Sequence, residues 1–209
     1  MDYLTLIPPM IGTLSIIAFT TYLAINMSKT PFFRARRILG SLIFGAAFGL
    51  IAIYATNYAI PFQTALINMR DVAPLAAGLI FGPVAGILAG LIGALERLSH
   101  NGLTTVPCSI STLLAGIIAA ILYVKFRKPI RPVVGLIIAV LMEAIHITLA
   151  LLIPIGKDTT GFISVPIPTL ISIIAMITLP TMISHALGLY VALAIRRKEG
   201  MWDDHESSM

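Results

Sequence analysis

Three clusters of basic residues follow the first, fourth and last of six long apolar segments, and their parity restricts the topology more than any other feature of this chain. The segments cover about residues 4–26, 38–57, 72–96, 107–125, 131–154 and 167–195. Lys29, Arg34, Arg36 and Arg37 follow the first; Lys125, Arg127, Lys128 and Arg131 the fourth; Arg196, Arg197 and Lys198 the last. A helix needs roughly 20 apolar residues to cross a hydrocarbon core of about 30 Å. Short basic loops stay on the cytoplasmic side. Six simple crossings would put the first and fourth clusters on opposite sides, so one segment must enter and leave by the same face.

The chain is 58% apolar and 11% charged, which excludes an ordinary soluble domain. Long unbroken apolar runs suit helices and not the alternating strands of a barrel, so the expected class is all-α integral membrane. The net charge of +5 sits mostly in short loops and reads as topology, not as a nucleic-acid surface. Asp2, the lack of a basic n-region and the length of the first segment argue against a cleaved signal peptide. Cys108 is the only cysteine, so no internal disulfide is expected.

The third segment is the one that folds back. Gly82-Pro83 lies near its middle, and proline disfavours helical geometry in the residue before it. Gly78, Gly82, Gly86 and Gly90 recur at every fourth residue, with Gly93 following, a spacing that lets helix backbones approach closely in lipid. The expectation is five full transmembrane helices plus a Gly/Pro-rich helical hairpin, with the N-terminus outside and the C-terminus cytoplasmic. Residues 1–198 form one transmembrane domain, and 199–209 a polar, disordered cytoplasmic tail. The competing reading is a single kinked helix with Arg70 and Arg97 snorkelling to opposite surfaces.

A hairpin instead brings Arg70 and Arg97 to the same outer end. Arginine near membrane depth needs an anionic partner, a polar cavity or a path to the interface. Beyond Arg97, Pro107 suits the first turn of a helix that Thr104 or Thr105 would cap. Cys108 and Ser111 share a face of that helix. Two guanidinium forks, a hydroxyl, a thiol and a helix N-terminus make a site for a small anion such as a carboxylate or phosphate. Asn68, Thr112, Glu143 and His146 are candidates for supporting positions. Glu143 and His146 share a face of the fifth segment, where the carboxylate either pairs with a pocket arginine or with His146. His185 reads as a hydrogen-bonding residue, because no second metal ligand stands at a suitable spacing. No catalytic residues, cofactor or metal are expected, since no kinase, cyclase or nucleotide motif is present.

Asn68-Met-Arg70, the series Pro74/Gly78/Gly82-Pro83/Gly86/Gly90/Gly93, Arg97 and Cys108-Ser-Ile-Ser111 resemble the membrane input domain of LytS-type sensor histidine kinases, the five-transmembrane receptors of the LytS–YhcK type. Met27-Ser-Lys-Thr-Pro31, Glu143, Pro180 and Gly188 match the same pattern. The resemblance implies an outward-facing receptor for a small carboxylate, pyruvate foremost, with Arg70, Arg97, Cys108 and Ser111 as its contacts. It also implies a homodimer in the cell membrane. Family members carry a cytoplasmic signalling domain after the last helix, whereas few residues follow Arg197 here. The expectation is an input domain cut from a longer receptor, or a stand-alone carboxylate binder. Pro74 to Gly86 also resembles the substrate-binding S components of energy-coupling-factor transporters, which gives the alternative function.

Overall fold

Gly82 adopts a φ of +95° with ψ of −177°, a conformation open to glycine and strained for other residues. It ends one helix, and Pro83 starts the next, where its missing N–H is of no consequence. In the computed structural model, which describes residues 7–62, 65–67, 69–126 and 130–199, the third apolar segment is therefore two helices, α4 (Val72–Phe81) and α5 (Pro83–Ser99). Before them come α1 (Ile7–Ser28), a single turn α2 (Pro31–Ala35) and α3 (Arg37–Asn57). After them come α6 (Thr105–Lys125), α7 (Pro132–Leu152) and α8 (Ile167–Lys198). Among the described residues five helices, α1, α3, α6, α7 and α8, are long and apolar enough to cross a membrane. The expected five spans plus hairpin is the observed architecture.

The glycine series holds the hairpin shut and seats it against α6. A Cβ added to Gly86 would lie 2.6 Å from the Gly78 Cα, and one added to Gly116 would lie 2.2 Å from the Gly86 carbonyl oxygen. Three backbones meet there with no room for a methyl group. Every residue of α4 is buried, so this short helix is the centre of the bundle, apolar on all sides as a core helix must be. Outward-facing Leu50, Leu141 and Leu179 on α3, α7 and α8 are exposed, as lipid-contacting residues of a membrane bundle are.

The parity argument is satisfied in space. Lys29 pairs with Glu199 at 3.1 Å, joining the end of α1 to the end of α8. Ser41 Oγ, near the start of α3, donates to the Phe81 carbonyl at 3.0 Å, and Arg196 Nη1 donates to the Leu79 carbonyl. The hairpin tip thus sits at the same end as the basic residues flanking α1, α3 and α8. Arg127, Lys128 and the segment 200–209 lie outside the described residues.

Two short antiparallel β-hairpins, lying between apolar segments of the sequence, occupy the opposite end: β1 (Ile60–Phe62) with β2 (Ala65–Ile67), and β3 (Ile155–Asp158) with β4 (Gly161–Ser164). The second is tied to the connection between α5 and α6. Gly102 and Lys157 exchange backbone hydrogen bonds of 2.7 and 2.9 Å, and Lys157 Nζ donates to the Leu98 carbonyl at 2.9 Å. Gly156 lies against the backbone of Leu103, where a side chain would not fit.

Candidate ligand site

Arg70 and Asp71 stand at the start of the central helix α4, 1% and 3% exposed, and so must find their partners inside the protein. Asp71 makes no side-chain cap on its own helix. Its carboxylate instead reaches across to α6, where it accepts from Ser111 Oγ at 2.9 Å and from Thr112 Oγ1 at 2.6 Å. Arg70 Nε donates to Thr112 Oγ1 at 2.8 Å and lies 3.7 Å from Asp71 Oδ1, and Arg70 Nη1 donates to Thr56 Oγ1 of α3 at 3.2 Å. A buried pair survives desolvation only when its remaining donors and acceptors are met, and here hydroxyls from two helices do so. Asp71→Asn should weaken this junction by about 1–3 kcal/mol, the cost of a buried group left poorly satisfied. Unfolding of the variant in detergent, compared with the parent, measures it.

Arg97 is different. It is fully buried near the end of α5, and its Nη1 makes only two long contacts, 3.4 Å each, to the carbonyls of His100 and Asn101. Its Nε and Nη2 have no hydrogen-bond partner among the described residues. The adjacent Glu96 does not help, since it is engaged with Asn57 and His100 at 3.1 and 3.0 Å. The guanidinium lies within electrostatic reach of Cys108 and Arg70. Cys108 Sγ in turn is 3.0 Å from His146 Nε2 of α7, and the other ring nitrogen of His146 is 3.4 Å from Asp71 Oδ2.

A second polar group adjoins it between α7 and α8. Glu143 accepts from Thr181 Oγ1 at 2.8 Å and lies 3.5 Å from His185 Nδ1, while His146 is 4.0 Å away. Glu143 therefore pairs with α8 and not with an arginine of the pocket. Of the two expected helix caps, Thr104 makes no side-chain cap, and Thr105 Oγ1 donates to the carbonyls of His100 and Gly102.

Arg70, Asp71, Thr104, Cys108, Glu143, His146 and His185 line a cavity that continues between α7 and α8 along Ile147, Ala150, Ile174 and Ile177. It is a small cavity, with room for a few water molecules or a short ligand. The polar end is crowded by charge and donors; the far end is apolar.

The four residues read as ligand contacts, Arg70, Arg97, Cys108 and Ser111, do fall around one place, but in two roles. Ser111 donates to Asp71, Arg70 donates to Thr112 and Thr56 beside it, and neither Ser111 nor Arg97 is among the residues that line the cavity. Thr112 bonds Arg70 directly. Asn68 lies outside the described residues. Asp71 and the contact between His146 and Cys108 were missed. An acidic residue at the start of an all-apolar core helix was the available signal for Asp71.

Among the described residues, five membrane-length helices surround a re-entrant helical pair, with buried charged groups gathered at one end. The family described as "5TMR of 5TMR-LYT" matches residues 25–199, and the chain belongs to it. Among its relatives, the sensor histidine kinase YpdA of Escherichia coli is 32% identical over 127 residues, covering 58% of this chain and 22% of that protein. The sensor histidine kinase BtsS of Escherichia coli is 26% identical over 194 residues, 87% of this chain and 33% of the relative. The sensor protein LytS of Bacillus anthracis is 25% identical over 136 residues, 64% and 21% respectively. The chain thus spans a third or less of each of these relatives. No solved structure matches it, so the likeness to energy-coupling-factor S components gains no support. The chain is a multi-pass membrane domain of the type that sensor histidine kinases carry.

Proposed function

We propose that this chain is the ligand-sensing domain of a two-component-type signalling protein and recognises a small carboxylate, pyruvate first among them, from outside the cell membrane. The observation that carries this reading is Arg97: a fully buried guanidinium whose Nε and Nη2 have no hydrogen-bond partner among the described residues, next to Cys108, which lines a polar cavity. Burying such donors unsatisfied is costly, and a bidentate carboxylate would meet both. The outward orientation of the site, with the N-terminus outside, is supported by the basic residues gathered at the opposite end. The relatives are sensor proteins, which favours a receptor over a transporter subunit. The homodimer is what the family resemblance implies.

The hairpin offers a route for the signal. Asp71 stands at one end of α4, and the Leu79 carbonyl near the other end is held by Arg196 in the last turn of α8. The ten residues of α4 span about 15 Å as a rigid, fully buried rod. A ligand drawing Arg70 and Asp71 toward Arg97 would shift α4, and α8 with it. It does so only by its differential affinity for the two positions.

A thermal-shift panel on the detergent-purified protein tests the reading. Pyruvate at a hundred times its dissociation constant should stabilise the protein by about 2.7 kcal/mol. Short amines and the methyl ester of pyruvate, which lack the carboxylate, should leave the melting temperature unchanged. Equal shifts from the acid and its ester, or no shift from any short acid, would refute carboxylate recognition.

A further inference from the structure

We infer that Cys108, His146 and Asp71 form a nucleophilic relay that adds the cysteine thiol reversibly to the carbonyl carbon of a bound 2-keto acid. The inference rests on the carboxylate site proposed above and adds to it a covalent step that selects for the ketone.

The three groups stand in the order that activates a nucleophile: thiol, base, and a carboxylate that orients the base. Sγ and Nε2 are 3.0 Å apart, and Nδ1 is 3.4 Å from Asp71 Oδ2. Asp71 is itself fixed by the Ser111 and Thr112 hydroxyls. Nδ1 lies 3.4 Å from the Asp71 carboxylate without the alignment of a hydrogen bond, so Asp71 acts on the ring as a charge; with the ring proton on Nδ1, the Nε2 lone pair faces the thiol. Packing alone would not require a buried carboxylate, an imidazole and a thiol drawn from α4, α7 and α6 to meet at the cavity wall. Arg97 supplies a second sign of a ligand, since its buried Nε and Nη2 have no hydrogen-bond partner among the described residues and its guanidinium lies close to Cys108. In a 2-keto acid the electrophilic carbon is bonded directly to the carboxylate. A carboxylate on Arg97 therefore sets that carbon near Sγ.

The step balances without a further reactant. The thiol proton passes to His146 Nε2 as sulfur attacks; a C–S bond forms, and the carbonyl π pair moves onto oxygen. His146 returns the proton to that oxygen, giving a thiohemiketal. Nothing is oxidised and no group leaves. Reversal releases the ketone unchanged, as a sensor needs. A 2-hydroxy acid such as lactate carries the same carboxylate and has no carbonyl to trap, so the step separates the two.

Carbon-13 NMR of the full chain in detergent with [2-13C]pyruvate tests this. The expected result is a protein-bound tetrahedral carbon signal, distinct from free pyruvate hydrate, displaced by excess unlabelled pyruvate and absent from Cys108→Ala. In that variant the preference for pyruvate over lactate should fall toward equality. Should the variant not fold, [3-13C]cysteine in the parent protein gives one labelled position, because the chain has one cysteine, and its signal should move with pyruvate and not with lactate. Bound pyruvate that keeps its ketone signal, or a tetrahedral signal that survives Cys108→Ala, overturns the thiol addition and leaves carboxylate recognition standing. If neither acid binds, both fall together.

Discussion

Gly116→Val should leave little folded protein. A Cβ at position 116 would stand 2.2 Å from the Gly86 carbonyl oxygen and 2.9 Å from its carbon, and these are backbone atoms with no rotamer to yield. Gly86 has no space of its own to give, since its own added Cβ would meet the Gly78 Cα at 2.6 Å. Relief requires α6 to part from the hairpin, which separates Ser111 and Thr112 from Asp71 as well. Overpacking of side chains costs about 1–3 kcal/mol, and a clash of backbone on backbone belongs at or beyond the top of that range. The readout is the fraction of monodisperse protein recovered from membranes and its lifetime on heating, because unfolding of such a protein is a rate more than an equilibrium. Gly12→Ala is the control: its nearest neighbour would be the Tyr54 hydroxyl at an ordinary 3.5 Å, so it should behave as the parent. A Gly116→Val protein that is as stable as this control would show that the three helices are not in contact at this point.

The same glycines explain why the fold was legible. In lipid the sequence must state its close helix contacts openly, through small residues at regular spacing, and Gly78, Gly86 and Gly90 do so. The break at Gly82-Pro83 and the parity of the basic clusters state the re-entrant turn twice over. Short polar ends carry no such signal, which is why residues 60–67 and 155–164 show only as gaps between apolar segments: the strands are three and four residues long, and the second hairpin is fixed by Gly102, more than fifty positions earlier.

The site was legible in composition and less so in wiring. Arg70, Arg97, Cys108 and Ser111 announce themselves, because charge and polarity inside an apolar bundle are expensive. Which of them face one another depends on how α4, α6 and α7 rotate in packing, and no single segment encodes that. Asp71 was passed over beside the more conspicuous Arg70, yet its carboxylate takes the Ser111 hydroxyl and, with Thr112, helps to hold Arg70 in place. In space the two arginines differ: Arg70 is held in a network, and Arg97 keeps Nε and Nη2 without a hydrogen-bond partner among the described residues. Glu143 likewise looks toward the arginines along the sequence and toward Thr181 in space.

Arg97→Met should abolish the response to pyruvate while leaving the ligand-free protein as stable as the parent or more so. The two effects have one cause. The guanidinium is fully buried, with Nε and Nη2 lacking a hydrogen-bond partner among the described residues and Nη1 on two contacts of 3.4 Å, so without a ligand it contributes little and costs its desolvation. An unbranched apolar side chain fills much of the same space without that cost. With a carboxylate bound, Nε and Nη2 of the same guanidinium, which have no other partner among the described residues, would hold it. Removing one partner of a buried, hydrogen-bonded charge pair costs about 2–5 kcal/mol in binding, which is roughly 30- to several-thousand-fold in affinity. Arg97→Lys keeps the charge and loses the planar fork, so it should fall between the two. Arg70→Met should differ in kind, because that side chain is bonded to Thr112 and Thr56, and losing it should lower stability before any ligand is added. Paired melting curves with and without pyruvate separate the cases. An Arg97→Met protein that melts well below the parent, yet still gains as much from pyruvate, would assign Arg97 to the scaffold and leave the carboxylate without its receptor.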